Sequence, residues 1–211
     1  MIKLETKYTT RIITDNVLKT LYQPRINRIV RKIKNKTAIG IEMAGWIDYV
    51  QHYDKRELKA MLKQAKLWWK QKIKKVVVVG VGGSYLGIKA GLDMLSSEFN
   101  RKNLQVFFAH NFNQNYLLEL LRGLGNEPFG IITVSKSGTT LEPAIAFDLI
   151  YKRLIRNVGR KRAETLVAAI TDKEKGNLIT AAKKHKWATF TIPSNIGGRY
   201  SALTPAGMFL F

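Results

Sequence analysis

Six consecutive residues, Ser135-Lys136-Ser137-Gly138-Thr139-Thr140, carry four hydroxyls and an ammonium. A phosphomonoester offers three strong acceptor oxygens, and neutral donors can surround it without a crowd of cations. A helix is expected to begin at about Leu141, which would add free backbone amides and the positive end of a helix dipole. A polar helix cap followed by a turn accounts for one hydroxyl well, but not for four with a lysine. We therefore read this run as a phosphate-binding loop, with Ser135, Lys136, Ser137, Thr139 and Thr140 as donors. Glu142 falls in the first helical turn, where the dipole favours a carboxylate in any case.

Two further segments share this character. Gly80-Val81-Gly82-Gly83-Ser84-Tyr85-Leu86-Gly87 follows a β-branched run. Its glycines allow close backbone approach to an anion, and the free amides and dipole of the following helix, with the Ser84 hydroxyl, would favour a phosphate. Tyr85 stands where a dinucleotide-binding fingerprint needs its third glycine, and no Gly-Lys-Ser or Gly-Lys-Thr follows at Walker spacing. The loop thus argues against a nicotinamide cofactor and against a nucleotide P-loop. Gly197-Gly198-Arg199 permits an unusual backbone that could aim Arg199 across the strand ends. Its planar fork suits negative charge developing on substrate oxygens, although pairing with Glu142 is an equal alternative.

These loops need a scaffold that brings them together. Short apolar runs at Val76–Val79, Leu104–Phe108, Ile131–Val134, Leu166–Thr171 and Trp187–Ile192 alternate with helical periodicity near Leu86, Asn115, Leu141 and Lys175. That pattern predicts an α/β three-layer sandwich around a five-stranded parallel sheet, with ligands bound beyond the carboxyl ends of the strands. An N-terminal helical segment over residues 1–70 should precede the sheet domain over 71–211. Within it, Ile26, Ile29, Val30 and Ile33 mark one helix face. Asp54 should cap a second helix with Glu57 as its capping-box partner and a buried stripe of Leu58, Met61, Leu62, Ala65 and Trp69. Gly45-Trp46 reads as a turn and an anchor. Thr204-Pro205 reads as a helix start, after which the apolar run to Phe211 is expected to lack a completed core, so the domain reads as truncated there.

Composition sets the outer limits. The 211 residues carry 36 Lys and Arg against 15 Asp and Glu, a net charge of +21 that would attract phosphate-bearing partners. Lys55, Lys59, Lys63, Lys66 and Lys70 fall on one predicted helix and read as a solvated face, so nucleic acid is not the expected partner. Arg153–Arg162 is the densest basic cluster and the best candidate for an anion patch. The absence of cysteine rules out disulfides and thiolate chemistry, and agrees with a cytoplasmic setting. His52, His110 and His185 lack metal-ligand spacing, so no metal is expected and these read as surface or loop histidines. No apolar run approaches the ~20 residues of a membrane span, and Met1–Thr10 is too polar for a signal peptide.

GVGGSYLG at 80–87, SKSGTTLEP at 135–143 and GGRYSALTPAG at 197–207 together resemble the glucose-6-phosphate isomerase family, from about Ala44-Gly45-Trp46 to the last residue. The resemblance implies the sugar isomerase fold, no organic cofactor, homodimeric assembly of the full-length family, and interconversion of glucose 6-phosphate and fructose 6-phosphate through a cis-enediol. Gly83 and Ser84 with the 135–140 loop would hold the sugar phosphate. Arg199 matches the arginine that stabilises the enediolate, and Glu142 an acid that helps orient it. The family's glutamate, histidine and lysine motifs for proton transfer have no counterpart here, which implies a chain that binds phosphosugar weakly or not at all and does not turn it over. A non-catalytic phosphosugar sensor would use the same hydroxyl loops, but has no need of the arginine. A third reading, a charge-driven nucleic-acid binder, would show steep salt dependence.

Overall fold

The computed structural model describes residue 8, residues 14–96 and residues 104–210. The reading of Met1–Thr10 therefore lies outside the described residues except at Tyr8, as does Phe211. The chain divides into two compact units, Met1–Glu42 and Met43–Phe211. In the first, a capped turn at Asp15–Val17 and a π-helical turn at Leu18–Tyr22 lead into helix α1, Gln23–Lys34. Ile26, Ile29 and Val30 form the expected face of α1 and are exposed.

The second unit is built on five parallel strands: β1 Lys75–Val79, β2 Gln105–Ala109, β3 Gly130–Ser135, β4 Val167–Thr171 and β5 Ala188–Thr191. All five lie where the apolar runs place them, with ends shifted by a residue or so. Their order is β2-β1-β3-β4-β5. Val76 pairs with both Val106 and Gly130, and Ile131 with Val167. Every residue of β3 and β4 is buried, which requires cover on both faces and explains their unbroken apolar character.

Helix α2, Lys55–Lys70, belongs to this unit, so the structural division falls earlier than the expected boundary at residue 70. Its packing shows why. The Trp68 indole N–H donates to the Thr165 carbonyl at 3.0 Å, and its ring lies against Gly130, where a Cβ would come within 2.7 Å. The buried face of α2 accordingly runs through Met61 and Trp68, whereas the expected Leu62 and Trp69 are exposed. Asp54 caps α2 by accepting from the Arg56 and Glu57 amides. The Glu57 carboxylate does not complete a capping box. It instead accepts the Thr191 N–H of β5 at 2.5 Å, because the end of β5 passes beside the first turn of α2.

Helices α3 Gly83–Leu95, α4 Gln114–Leu124, α5 Leu141–Val158 and α7 Asn177–His185 follow the first four strands, as the periodicity predicts. An additional helix, α6 Arg160–Thr165, resumes after Gly159 ends α5 at a positive φ of 78°. Arg153–Arg162 therefore spans the end of one helix and the start of the next. Arg153 itself is tied to the Gly125 carbonyl at 3.4 Å. Beyond β5, a 3-10 turn at Gly198–Leu203 leads to α8, Pro205–Met208, capped by Thr204 as expected. The segment after Thr204 is packed in part, with Met208, Phe209 and Leu210 half-buried. Pro205, Ala206 and Gly207 are buried, and the Phe209 ring packs on Trp68 and Phe190 with centroids 5.4 Å and 5.0 Å apart. No helix among the described residues is long and apolar enough to cross a membrane.

Candidate functional site

The strand order reverses between β1 and β3, since the chain leaves β1 for β2 on one side and returns to β3 on the other. Loops at the carboxyl ends of two such strands diverge and leave a crevice. A cleft of about 450 Å³ opens there, lined by Gly83 and Ser84 from the β1 loop and by Ser135, Lys136, Ser137 and Thr140 from the β3 loop. Two segments far apart in sequence thus meet in one cavity. Val81, Pro143 and Gly198 complete much of its wall.

The hydroxyls are arranged among themselves rather than spent on the helix. Thr140 is the N-cap residue of α5, yet its side chain makes no capping hydrogen bond. Ser137 Oγ lies 3.3 Å from Thr140 Oγ1 and accepts from Thr139 Oγ1 at 3.2 Å and from the Thr139 N–H at 3.3 Å. Ser135 Oγ accepts the Gly138 N–H at 3.1 Å, and the Ser135 carbonyl is held by the Thr171 hydroxyl at 2.7 Å. A simple cap would look different, with one hydroxyl turned onto the helix amides. Thr139 contributes through Ser137 and is not on the cleft wall.

The β1 loop needs glycine for two separate reasons. Gly82 adopts a φ of 55°, and it starts α3 without any side-chain cap. Gly83 abuts the segment after β5 so closely that a Cβ there would lie 2.3 Å from the Gly198 carbonyl carbon. That segment is anchored from outside the cleft as well. Gly45 N–H donates to the Asn195 carbonyl at 3.0 Å, Ala44 forms a β-bridge with Ile196, and the Trp46 ring stacks on Tyr200 at 4.7 Å. Gly45-Trp46 is therefore the anchor that the sequence suggests, and what it holds is the stretch carrying Arg199.

Arg199 itself is exposed, next to Gly198 on the cleft wall. No ion pair joins it to Glu142 among the described residues, so the alternative of a structural Arg199–Glu142 pair is not realised. Glu142 is half-buried in the first turn of α5. Lys136 departs from a simple phosphate ligand: its ammonium donates to the carbonyls of Ser194 at 2.8 Å and Ile196 at 2.9 Å.

Sequence reasoning passed over two charged residues of the cleft, Asp172 and Lys175, which follow β4. Asp172 Oδ1 accepts the amides of Glu174 at 2.9 Å and Lys175 at 3.0 Å. Those amides hold its carboxyl below the usual carboxylate range, with the charges of Lys175 and Lys136 adding to the effect. Charged residues immediately after a buried parallel strand were the available signal. His110 stacks on Tyr85 with centroids 4.1 Å apart and His185 stacks on Trp187 at 5.2 Å, so both pack among rings rather than standing free on loops. Among the described residues no three His, Cys, Asp or Glu side chains gather as metal ligands.

The family model described as phosphoglucose isomerase matches residues 29–210. A glucose-6-phosphate isomerase of Mesoplasma florum is 39% identical over 210 residues, covering 99% of this chain and 48% of the relative. That of Enterococcus faecalis is 36% identical, covering 98% and 47%. A hypothetical protein of Thermus thermophilus superposes with a TM-score of 0.82 at 25% identity, covering 99% of this chain and 48% of that one. A glucose-6-phosphate isomerase from Chlamydia trachomatis shares the fold with a TM-score of 0.70 at 22% identity, covering 92% and 42%. The chain spans about half the length of the curated relatives it matches.

Proposed function

The chain belongs to the phosphoglucose isomerase family, and on that premise we propose that it forms the phosphate-holding portion of an isomerase interconverting glucose 6-phosphate and fructose 6-phosphate. The observation that carries this reading is the cleft at the β1/β3 reversal, where Ser84, Ser137 and Thr140 converge without Thr140 capping its helix. Such donors grip the substrate at the phosphate, remote from the reacting carbons. That binding holds the chain of the sugar in one place while a proton moves between carbons 1 and 2.

In this reading the ring opens, a base removes the proton from carbon 2 of the aldose, and the electron pair moves onto the carbonyl oxygen to form the enediolate. Arg199, whose guanidinium stays charged at any working pH, would lower the energy of that anion. Glu142 belongs to the proposal as an acid at the head of α5, without a direct bond to Arg199. Carbon-proton chemistry also needs a base and an acid. The family resemblance locates those groups in motifs that have no match in these residues, so the 211-residue chain should bind phosphosugar weakly and leave it unconverted. Homodimeric assembly of the full-length protein, as the family resemblance implies, a cytoplasmic location and a lack of nucleic-acid binding are parts of the same proposal.

Calorimetric titration of the chain with fructose 6-phosphate, alongside a coupled isomerase assay, tests it. Binding that disappears in Ser137→Ala/Thr140→Ala, with no turnover, is the expected result. Full turnover by the unaltered chain would overturn the division of labour, and binding indifferent to both substitutions would overturn the site.

A further inference from the structure

Two lysines line the cleft, and the structure gives them different surroundings. Lys136 sits in the hydroxyl loop, where a phosphate ligand is expected, but two of its three ammonium protons are committed to the carbonyls of Ser194 and Ile196. Ile196 is fully buried and bridged to Ala44, so this end of the strap is fixed. Gly197, Gly198 and Arg199 follow directly. Lys136 therefore joins the loop that ends β3 to the segment that carries the arginine.

Lys175 has the opposite character. Its side chain is exposed and makes no hydrogen bond or ion pair among the described residues, while its backbone amide is held by Asp172. The neighbouring Gly176 packs so tightly on the hydroxyl loop that a Cβ there would lie 2.4 Å from the Ser137 carbonyl oxygen. This contact sets the base of the Lys175 side chain at the rim of the Ser137–Thr140 cluster. A carboxylate in the same wall, Asp172, would repel a phosphate dianion. Its Oδ1 is taken up by two amides, and Lys175 is the cation in the wall with its ammonium left over to offset what charge remains.

We infer that the two lysines divide the work: Lys175 supplies the mobile positive charge that meets the phosphate, and Lys136 is a positioning residue that straps the Arg199 segment to the hydroxyl loop. This assignment rests on the phosphate-cleft reading above. It predicts that loss of one lysine is felt by any phosphate, and loss of the other only by a ligand that also reaches Arg199.

The test uses the 211-residue chain and two probes, inorganic phosphate and a phosphorylated aldonic acid whose carboxylate stands in for the enediolate oxygens. Binding is followed through backbone amide shifts at Ser137–Thr140 and at Gly198–Arg199. Lys175→Met should weaken both probes by about tenfold, the loss of one charge-assisted contact. Lys136→Met should leave inorganic phosphate within about twofold yet weaken the sugar acid by about tenfold, with the Gly198–Arg199 amides no longer responding. Lys136→Arg, which can still reach both carbonyls, should restore the sugar acid and keeps the strap testable if the Met variant does not fold. Equal weakening of both probes by Lys136→Met, failure of Lys136→Arg to restore, or unaltered phosphate affinity in Lys175→Met would overturn the assignment. If inorganic phosphate shifts no amide of Ser137–Thr140 in the unaltered chain, the cleft reading itself falls and the lysine roles fall with it, a result visible before any variant is made.

Discussion

Gly83 at the start of α3 and Gly198 beyond β5 touch backbone to backbone, with the position of a Cβ on residue 83 lying 2.3 Å from the Gly198 carbonyl carbon. Gly83 helps line the proposed phosphate cleft, and Gly198 precedes Arg199. The two ends of a bound phosphosugar would therefore be handled by loops in direct contact. A methyl group at residue 83 has no room, so Gly83→Ala must push the Arg199 segment away. Overpacking of this kind costs about 1–3 kcal/mol. We expect a lower unfolding midpoint and weaker binding of a phosphorylated sugar acid. Gly198→Ala, where no atom beyond its chain neighbours lies within 4 Å of the added methyl, provides the control for substituting a glycine in the same contact.

Trp46 acts on the same segment from the other side. Its stacking on Tyr200 at an interplanar angle of 10° fixes the residue next to Arg199. Trp46→Ala should leave the affinity for inorganic phosphate close to that of the unaltered chain and increase amide exchange at Gly198–Ser201. Hydrogen exchange read by mass spectrometry checks this, and unchanged protection of those residues would refute it.

Glu57 and Asp172 should shape the acid limb of stability in opposite senses. Burial raises the Glu57 carboxyl above its usual range, and this outweighs the stabilising hydrogen bond from Thr191. A group whose folded value is raised gives stability that is present below its unfolded value and lost as pH rises through the folded one. Glu57→Gln can still accept the Thr191 N–H and carries no charge. It should therefore gain on the unaltered chain as pH rises through the weakly acidic range. Asp172 is depressed, so its contribution is present above the unfolded value and is lost as pH falls through the folded one. Asp172→Asn should narrow its deficit as the solution is acidified. Denaturant melts across the acid range give both signs.

Tyr49 supplies an alkaline counterpart. Burial first, then the charges of Glu57 and Asp54, push its hydroxyl up from 10.0 to about 12. Its folded form holds the proton more tightly than the unfolded chain, so stability should decline as pH climbs from about 10 towards 12. Tyr49→Phe should remove that part of the alkaline loss, as followed by thermal melts and tyrosinate absorbance.

Much of this protein was readable from residue order. The β-branched run at Val76–Val79 and its fellows announce buried parallel strands, because a strand covered on both faces has no polar side to alternate with. The hydroxyl loop and the glycine-rich turn could be singled out as candidate anion-binding segments from their chemistry, since donor groups and backbone freedom are properties of the residues themselves. Other features were invisible for a definite reason. Trp68 rather than Trp69 is buried because Gly130, distant in sequence, leaves a space that only one of them can reach. Glu57 bonds Thr191 instead of its own helix because β5 ends beside it. Lys136 reads as a phosphate ligand until its ammonium is found on the Ser194 and Ile196 carbonyls. Periodicity and side-chain chemistry decided which elements form and which groups can bind an anion. Only the folded arrangement decided which partner each long side chain meets, because that depends on contacts between segments distant in the chain.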